Sequence, residues 1–543
     1  MTKKQRNIAL FSILIILAAI LTPIFIFFVN KVNKENESLS FNYYSNFQES
    51  YDYIGVGIKD KDIPSIFTYY YIEPTENIPI WLLYENYNNE IEIKWYKDTN
   101  HNGVDNNDKV VNIEKITYQT DSVNRPNPFT SINDNININK NFFYILEDGN
   151  VGPSTKDSYL GVYDRFGNIR YPLSNYDFNE GFGSTIYINA IIGSNISYNN
   201  LGYIQGIYNF VYKYENKAKN NKLSFNTNLY GNEDIIEIDP DFNIYYSHDF
   251  TVDSNGNIYF LNDNMASGGD IFDINSVYKY DINGNLELYD MVRTILDLSN
   301  EQYEQFVKEI DSQNSKDNIV NDFFSFNSIE YNNSSNLFLL SSKSSNTLYF
   351  LNGNDLSFEF ALTSKDVFEK IEGLLKKYNV DYKNWIVLDE FDSSNYFFGQ
   401  HTPLIYDYDL EKNTIYISMI DNHFGGNSVI DGINNYKSYY KTYSINIDKK
   451  LAKLETNIDI KDNMWYEGSA YPFSYKGVDY IIYTNQQGTV NDQSTIIIGD
   501  YNENIYWSAE VNNLLFRANP IPLKREYNYK QVNTPWILNK YYN

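Results

Sequence analysis

One turn design recurs along this chain and limits its fold more than any other feature. In each copy a strand ends at an Asp, the chain turns through a Gly next to an Asn, and a new strand begins. Asn-Gly pairs supply the positive φ angles that tight hairpins need. The clearest copies are Tyr163–Ile169, Val252–Tyr259 and Tyr280–Leu286, and Tyr349–Asn354 is a related hairpin.

These hairpins continue from about residue 140 to the end of the chain without alternating strands and helices. Such a pattern predicts radial repetition of small antiparallel sheets, which is a β-propeller. Between Tyr51 and Asn139 the chain has short apolar and aromatic strands, such as Ile78–Tyr84 and the cleanly alternating Glu90–Tyr96. This region is predicted to be a small β-sandwich. The expected fold class is therefore all-β.

Two segments with helical spacing interrupt the β pattern. The first is Tyr289–Ile310, and the second begins at a Thr363–Asp366 cap and carries an apolar stripe from Val367 to Tyr378. A cap followed by apolar residues every three to four positions is typical of an amphipathic helix. We interpret both segments as packing elements rather than as sites.

The N-terminus carries an apolar run from Ile8 to Val29. About 20 apolar residues suffice to cross a bilayer as a helix. The run is longer than the core of a secretory signal, which is about 7–15 residues, and no small-residue cleavage site follows it. We therefore predict one uncleaved transmembrane helix, with a cleaved signal peptide as the alternative. Lys3, Lys4 and Arg6 precede the run and place its N-terminal end in the cytoplasm.

The predicted organisation has three parts. Residues 1–30 form a cytoplasmic tip and a transmembrane anchor, residues 31–139 a tether and the N-terminal β-sandwich domain, and residues 140–543 the β-propeller domain. The protein is then anchored to a membrane and exposed on its extracytoplasmic side, either periplasmic or at the cell surface. Whether two chains form a homodimer is left open.

Charge and composition exclude several classes of function. Lys and Arg number 43 against 70 Asp and Glu, for a net charge of −27, which repels nucleic acid and requires local cations around any anionic substrate. The chain has no Cys, so disulfides, thiolate nucleophiles, iron–sulfur clusters and Cys-ligated zinc are excluded. It has four His, few enough to consider individually.

A segment in the predicted sandwich resembles a calcium-binding loop. Asp98, Asn100 and Asn102 place oxygen side chains at positions 1, 3 and 5, and Gly103 follows at position 6. Lys109 stands where an EF-hand has its bidentate Glu, so the ligand set is incomplete. The alternatives are a calcium site and a polar hairpin tip.

Three stretches of the chain are rich in polar residues beside short apolar strands, and the first and third contain His. They are Ser247–Asp253, Asp322–Tyr331 with the downstream Leu339–Lys343, and Gly399–Pro403 with the downstream Ile415–His423. In this order they resemble the bacterial aryl-sulfate sulfotransferases. That family has a small N-terminal β-sandwich and a six-bladed propeller. It transfers a sulfuryl group from a phenolic sulfate ester to a phenolic acceptor through a sulfated histidine, by a ping-pong mechanism without a nucleotide donor or other cofactor.

The resemblance implies roles for five residues. His401 matches the nucleophilic histidine, His248 a histidine that stabilises the transferring group, and Asn327 an asparagine of the same pocket. At two positions the chain departs from the family pattern, because Ser325 replaces a histidine and Lys343 replaces an arginine. Lysine keeps the charge but lacks the two-pronged fork of arginine, and serine can neither carry charge nor act as a general acid near neutral pH.

The chemistry is reasonable on general grounds. An imidazole nitrogen is a competent nucleophile near neutral pH. By analogy with phosphoryl transfer, sulfuryl transfer depends on positioning and on positive charge around the equatorial oxygens. Taken alone, however, a histidine at the end of a strand is commonly structural. Two alternatives therefore stay open: a degenerate propeller that acts as a binding or scaffold protein of the cell envelope, and a related enzyme acting on another ester such as an aryl phosphate.

Overall fold

The structure is a computed structural model. It describes residues 39, 41–47, 49–59, 66–71, 78–80, 83–99, 108–123, 129–134, 143–148, 161–172, 187–191, 207–211, 222–226, 233–237, 249–253, 255, 257–261, 276–281, 285–305, 326–342, 345–378, 382–388, 396–422, 438–460, 468–475, 478–487, 493–511, 515–521, 526–528 and 538–539. The predicted membrane anchor, Ile8–Val29, lies outside these residues. Among the described helices, none has the length and apolar character needed to cross a membrane.

The first part of the chain contributes four strands to a six-stranded sheet and forms a two-stranded sheet. Its strands are β1 (Phe41–Tyr43), β2 (Tyr53–Ile58), β3 (Ile66–Tyr71), β4 (Ile78–Ile80), β5 (Asn88–Lys97), β6 (Lys109–Gln119) and β7 (Phe129–Asp134). The alternation predicted for Glu90–Tyr96 is confirmed in β5, where Ile91, Ile93 and Trp95 are buried and Glu90 is exposed. Strand β4 pairs with β1, and β3, β2, β5 and β6 are neighbours in the larger sheet. The sandwich packing stays a prediction.

The next strands form three four-stranded sheets, which we number 1 to 3. Sheet 1 contains β8 (Phe143–Asp148), β9 (Gly161–Asp164) and β10 (Ile169–Pro172), together with a strand from the end of the chain. Sheet 2 contains β11 (Tyr187–Ile191), β12 (Ile207–Val211), β13 (Lys222–Asn226) and β14 (Glu233–Glu237). Sheet 3 contains β15 (Phe250–Val252), β16 (Ile258–Leu261), β17 (Ser276–Tyr280) and β18 (Leu286–Asp290).

Three further sheets, numbered 4 to 6, complete the series. Sheet 4 contains β19 (Phe326–Asn332), β20 (Leu337–Ser342), β21 (Thr347–Asn352), β22 (Phe358–Ser364) and β23 (Trp385–Leu388). Sheet 5 contains β24 (Gln400–Asp409), β25 (Thr414–Asp421), β26 (Tyr439–Asn446) and β27 (Leu451–Asp459). Sheet 6 contains β28 (Ala470–Tyr475), β29 (Val478–Gln487), β30 (Gln493–Gly499) and β31 (Ile505–Val511), with β7 added at its outer edge.

These sheets are arranged as the blades of a β-propeller. The first strands of successive sheets are neighbours: β15 contacts β19, β19 contacts β24, and β24 contacts β28. Strand β28 in turn contacts β32 (Leu515–Ile521), which joins sheet 1 beside β8. The described residues contain six such sheets, the number that the family resemblance implied. The propeller prediction is confirmed.

The apolar core lies between neighbouring sheets. Alternate residues of one strand contribute to opposite faces, as the two-residue period of a strand requires. In sheet 4, Phe338 and Leu340 pack toward sheet 3, whereas Leu339 belongs to the cluster shared with sheet 5. In sheet 5, Met419 faces sheet 4 and Ile420 faces sheet 6. Sheets 4 and 5 are therefore buried on both faces.

Two strand pairings cross the predicted boundary at residues 139 and 140. Strand β7, from the predicted sandwich region, pairs antiparallel with β31 of sheet 6. From the other end of the chain, β33 (Glu526–Asn528) pairs parallel with β3, and β34 (Leu538–Asn539) pairs with β33. Both pairings therefore join strands of the first part of the chain to strands of its last part. The division into domains stays a prediction.

The recurring turns are hairpins with one hydrogen-bond pattern. In sheet 1, Asp164 accepts hydrogen bonds from the backbone N–H groups of Phe166 and Asn168, and the Asn168 side chain bonds both carboxylate oxygens. The Asp253 and Asp281 hairpins repeat the bond from the side chain of the Asn four residues later. The predicted hairpins are confirmed, and the conserved geometry explains why Asp and Asn recur at this spacing.

Asp500 forms a fourth hairpin of the same design, between β30 and β31. Its carboxylate accepts hydrogen bonds from Asn504 and from the hydroxyl of Tyr506. Desolvation by itself would raise the pKa of Asp500, but these hydrogen bonds outweigh it and lower the pKa to about 2. The carboxylate therefore stays ionised near neutral pH. At the position that Gly167 fills in sheet 1, this hairpin has Glu503 with a φ of 63°.

The two predicted helical segments are present with different limits. In the first, Tyr289 still belongs to β18, helix α1 is Met291–Leu296, and residues 300–305 are helical again. The prediction of one helix from Tyr289 to Ile310 is wrong, because Asp297 adopts the left-handed conformation and ends α1. The second segment is confirmed as helix α2 (Lys365–Lys377), followed by a short 3-10 helix (Tyr382–Asn384).

Replacement of Glu503 by Gly should stabilise the protein. A non-Gly residue in the left-handed region costs about 1–2 kcal/mol, and replacement by Gly removes that cost. The greater conformational freedom of Gly in the unfolded chain offsets about 0.5–1 kcal/mol of this gain in stability. We expect a net increase of about 0.5–1 kcal/mol in the free energy of unfolding, measured by urea denaturation. The matched control is Gly167→Ala, where φ is 77° and the new Cβ would lie 2.8 Å from Ile132 Cδ1. That control should destabilise the protein; an opposite sign in either variant would contradict the account.

Candidate active site

Two of the residues singled out by sequence, Asn327 and His401, lie at the starts of strands in consecutive sheets. His401 is the second residue of β24, and Asn327 is the second residue of β19. His248, Ser325 and Lys343 lie outside the described residues. In the chain, His248 immediately precedes Asp249, Ser325 precedes Phe326, and Lys343 follows Ser342.

Side chains of one inner strand hydrogen-bond the backbone of the next, and these bonds show that the strands start at a common end. Between sheets 3 and 4, the N–H of Ile329 donates to Asp249 Oδ2 at 3.0 Å, and the N–H of Tyr331 donates to Thr251 Oγ1 at 2.9 Å. Moving two residues along one strand moves the bond two residues along the other. The two strands are therefore parallel neighbours with their starts together.

The same arrangement joins sheets 4 and 5. Near the start of the strands, Asn327 Nδ2 donates to the carbonyl of Gln400 at 2.9 Å. Further along, the N–H of Ile405 donates to Glu330 Oε2 at 2.7 Å. The structure thus brings together two of the predicted site residues, because Asn327 bonds the peptide that precedes His401.

The segment before His401 is held from sheet 4 by amide side chains. Gly399 donates its N–H to Asn346 Oδ1 at 2.8 Å. Gln400 extends its side chain into sheet 4, where Nε2 donates to Ser341 Oγ at 3.1 Å and to the carbonyl of Ser342 at 2.8 Å. His401 itself is buried, with 2% of its surface exposed. Its backbone position is therefore fixed by several bonds rather than by one.

Unusual backbone conformations flank Gln400 and His401. Gly399 has a φ of 59°, which Gly adopts without steric cost, and Thr402 has a φ of 43°. A β-branched residue with positive φ is a genuine outlier, and such strain costs about 1–3 kcal/mol. Thr402 is buried and donates from Oγ1 to the carbonyl of Gly468 in sheet 6 at 3.2 Å. Strand β24 also shifts register between His401 and Leu404. Strain of this kind concentrates at functional sites.

A buried ion pair supports the turn that leads into β24. Asp421 Oδ2 and Lys441 Nζ are 2.7 Å apart, and both side chains are almost wholly buried. Asp421 Oδ1 accepts from the N–H of Phe398 at 2.8 Å, and Lys441 Nζ also donates to the carbonyl of Tyr396. The pair therefore fixes two backbone groups just ahead of Gly399.

Burial also raises the pKa of nearby phenols. Desolvation, with the negative charge of Asp421 adding to it, raises the pKa of Tyr443 well above its ordinary value. Desolvation likewise raises the pKa of Tyr440, followed by the influence of Tyr501. These phenols therefore stay neutral at physiological pH and add no anionic charge close to the ion pair.

Several of these supporting residues were not predicted. The sequence signals were present but weak: Lys441 lies in a strand with three Tyr, and Asp421 ends a largely apolar strand. A charge at such a position usually indicates an exposed strand face. Its burial follows from a partner that lies 20 residues away in the chain and could not be paired with it by pattern alone.

The predicted calcium loop is only partly described. Asp98 is described, and its N–H donates to Asp52 Oδ2 at 2.9 Å, whereas Asn100 and Asn102 lie outside the described residues. Within the described part of the chain, no group of three or more His, Asp or Glu side chains is arranged to hold a metal ion. Calcium binding stays a prediction.

Comparisons with known proteins place these residues in a family context. The sequence model described as arylsulfotransferase (ASST) matches residues 128–510, which is most of the chain and includes His401 and the residues that hold it. No curated protein matches the chain.

Two solved structures show a weak similarity. The periplasmic gluconolactonase of Pseudomonas aeruginosa is 7% identical over 72% of this chain and 100% of its own, with a TM-score of 0.33. The β-propeller domain of Vanderwaltozyma polyspora Nup133 is 9% identical over 60% of this chain and 74% of its own, with a TM-score of 0.27. Both scores are low, and we draw no conclusion about fold or function from them.

The ion pair gives a prediction about stability. Asp421→Asn should lower the free energy of unfolding by about 3–5 kcal/mol, because it leaves the charge of Lys441 buried without its counter-ion. The double variant Asp421→Asn/Lys441→Met removes both charges and should recover much of that loss. Denaturant unfolding measures both. Glu90→Gln, which breaks the exposed pair with Lys59, is the control and should change little. Equal losses in the single and double variants would argue against a coupled pair.

Proposed function

Because the chain belongs to the arylsulfotransferase family, we propose that it transfers a sulfuryl group from a phenolic sulfate ester to a phenolic acceptor. The observation that carries the proposal is the family match across residues 128–510, which contains His401 at the start of an inner strand. The rigid support of that histidine, from sheet 4 on one side and sheet 6 on the other, is what a positioned nucleophile requires.

The proposed reaction has two balanced steps. In the first, the unprotonated imidazole nitrogen of His401 attacks the sulfur of the ester; an N–S bond forms, the S–O bond to the aryl group breaks, and the aryl oxygen leaves as a phenol with the proton released from the other imidazole nitrogen. In the second, the oxygen of an acceptor phenol attacks the same sulfur; an S–O bond forms, the N–S bond breaks, and the proton of the acceptor returns to the imidazole. The free histidine is regenerated, and no cofactor enters either step.

The other predicted residues would act on the transferring group. His248 and Lys343 supply hydrogen bonds and positive charge to the sulfuryl oxygens, and Ser325 supplies one neutral hydrogen bond. Such local cations matter because the chain carries a net charge of −27. Asn327 uses Nδ2 to bond Gln400, and its Oδ1 has no hydrogen-bond partner among the described residues. That oxygen is available to accept from the hydroxyl of a phenol.

We place this activity outside the cytoplasm. The support is the apolar run Ile8–Val29 and the basic residues that precede it, which together are suited to an N-terminal membrane anchor. Calcium binding by Asp98, Asn100 and Asn102, and assembly as a homodimer, are further proposals that the transfer reaction does not require.

A second candidate function rests on Ser325 and Lys343. Both replace residues of the family pattern with weaker hydrogen-bonding or charge-bearing groups. If these changes abolish transfer, the propeller acts as a binding or scaffold protein of the envelope. The two functions differ in whether the folded protein turns over an aryl sulfate.

The role of His401 is tested by steady-state kinetics of the full-length chain in detergent. With a chromogenic aryl sulfate and a phenol, we expect parallel lines in double-reciprocal plots, because the first product leaves before the acceptor reacts. His401→Ala should lose at least about a thousandfold in kcat/KM, since it removes the group that forms the intermediate. Full activity in His401→Ala, with a wild-type unfolding midpoint, would refute the proposal. If an aryl phosphate gave the same kcat/KM as the aryl sulfate, the alternative of an enzyme that acts on another ester would be favoured.

Lys343 allows a test in which a substitution is expected to increase activity. Lys343→Arg should raise kcat/KM for aryl sulfate by about 3- to 30-fold, because a guanidinium forms two parallel hydrogen bonds with the oxygens of an anion. Lys343→Met is the control; it removes the charge and should lower kcat/KM. If both variants have the wild-type value, Lys343 does not contact the sulfuryl group.

A further inference from the structure

Asn422 is a buried amide whose hydrogen bonds are unaccounted for. It follows β25 directly, and only 1% of its surface is exposed. Neither its Oδ1 nor its Nδ2 has a hydrogen-bond partner among the described residues. Burying an unbonded amide costs about 1–3 kcal/mol, so such a group in a folded protein calls for an explanation. One explanation is that the side chain of Asn422 hydrogen-bonds a bound ligand. The position of Asn422 relative to His401 supports that explanation.

The strand register places Asn422 near His401. Gln400 pairs with Asp421, and His401 pairs with Ile420. Directly paired residues share a face of the sheet, and so do residues two apart on one strand. Asn422 is two residues beyond Ile420, and its carbonyl accepts from Ser438 Oγ, just before β26, so contacts between the neighbouring segments continue to this residue. Asn422 and His401 are therefore diagonal neighbours on one face.

That face is directed toward sheet 6. Ile420, which shares it, packs with Ala470 and Ile481 of sheet 6. Thr402, the residue after His401, bonds the carbonyl of Gly468 just before β28. Asn327, in contrast, approaches from sheet 4. A group held on His401 would thus have Asn327 on one side and Asn422 on the other.

The separation suits a sulfuryl group. Diagonal neighbours lie about 7–8 Å apart. An imidazole nitrogen approaches a reacting atom at about 3–3.5 Å, and an amide N–H donates to an oxygen at about 2.9 Å. A tetrahedral group with sulfur near His401 and one oxygen near Asn422 spans that separation.

The residues that follow β20 and β25 occupy equivalent places in the chain order of sheets 4 and 5. In sheet 4, Phe326 pairs with Ser342, the last residue of β20, and Lys343 is next in the chain. In sheet 5, Gln400 pairs with Asp421, the last residue of β25, and Asn422 is next. In chain order, Asn422 therefore follows β25 as the proposed cation Lys343 follows β20.

We propose that Asn422 donates a hydrogen bond from Nδ2 to an oxygen of the sulfuryl group during transfer. The inference rests on the proposed function and adds a residue to it. A donor that meets an oxygen whose charge grows during the reaction stabilises the transition state more than the ground state.

The test compares a truncated and an isosteric variant of Asn422 in the full-length chain. Asn422→Ala should lower kcat/KM for an aryl sulfate by about 100-fold. Asn422→Asp, which keeps the shape but replaces the donor with a carboxylate, should lower it at least as much, because the carboxylate repels the sulfuryl oxygens. Neither loss should come from unfolding: Asn422→Ala breaks no hydrogen bond within the described residues, so its thermal midpoint should equal or exceed that of the wild type.

Asn89 provides the matched control. It is also fully buried, but its side chain bonds both the N–H and the carbonyl of Tyr84 in the first part of the chain. Asn89→Ala should lower the thermal midpoint and leave kcat/KM of the folded enzyme unchanged. A lowered midpoint in Asn422→Ala, like that of Asn89→Ala, would show a structural role and overturn the proposal.

Binding of inorganic sulfate separates this inference from the proposed function. Sodium sulfate should raise the thermal midpoint of the wild type more than that of Asn422→Ala. For each protein, the shift is measured relative to a control salt at the same ionic strength, which removes the general effect of salt. If the wild type shows no transfer but this difference is present, the proposed function fails and the sulfate-oxygen contact stands. If both variants keep wild-type kcat/KM and wild-type sulfate protection, the inference fails and the proposed function stands.

Discussion

Hydrogen bonds from the side chains of one inner strand to the backbone of the next link neighbouring sheets of the propeller. The inner strands leave backbone groups unpaired on the side away from their own sheet, and buried groups of that kind must find partners. Asp249 and Glu330 supply carboxylate acceptors for Ile329 and Ile405. Charge-assisted bonds of this type contribute about 1.5–3 kcal/mol each. They also set the relative height of neighbouring sheets, so the position of every residue at the strand starts depends on them.

The environment of His401 follows from this arrangement. Once sheets 4 and 5 are in register, Asn327 can reach the carbonyl of Gln400, and sheet 6 can accept a hydrogen bond from Thr402. The buried pair of Asp421 and Lys441 then holds the preceding turn from within sheet 5. The favourable bonds around this short segment outweigh the strain of its positive φ angles. A histidine held in this way is suited to repeated attack on one atom of a bound ester, because little orientational freedom is lost in each cycle.

Local chemistry made much of the fold predictable. The Asp and Asn spacing of the hairpins identified turns at Asp164, Asp253 and Asp281, because their hydrogen bonds close within five residues. The amphipathic stripe of helix α2 was equally local. Predictions failed where the partner is distant in the chain. No local pattern shows that β32 from the end of the chain completes sheet 1. The end of α1 at Asp297 is different: Ser299 and Gln302 cap the next helical residues with reciprocal hydrogen bonds, a local signal that the prediction missed.

The candidate site also contains residues that the sequence identified and residues that only the structure identified. His401 and Asn327 were identified by resemblance, and the structure adds the contact between Asn327 and the peptide before His401. Asn422 lies in the stretch Ile415–His423 that carries the resemblance, but the resemblance assigned it no role. Its burial and the shared face with His401 depend on the pairing of β24 with β25, which only the folded chain provides.

The central claim is that His401 carries the sulfuryl group, and isolating that intermediate tests it most directly. The full-length protein would be mixed with an aryl sulfate labelled in its sulfur, without a phenolic acceptor, and digested under alkaline conditions that preserve N–S bonds. The account predicts one labelled peptide, containing His401, which loses its label when a phenol is added before digestion. Label on another peptide, or turnover without any labelled protein, would contradict it.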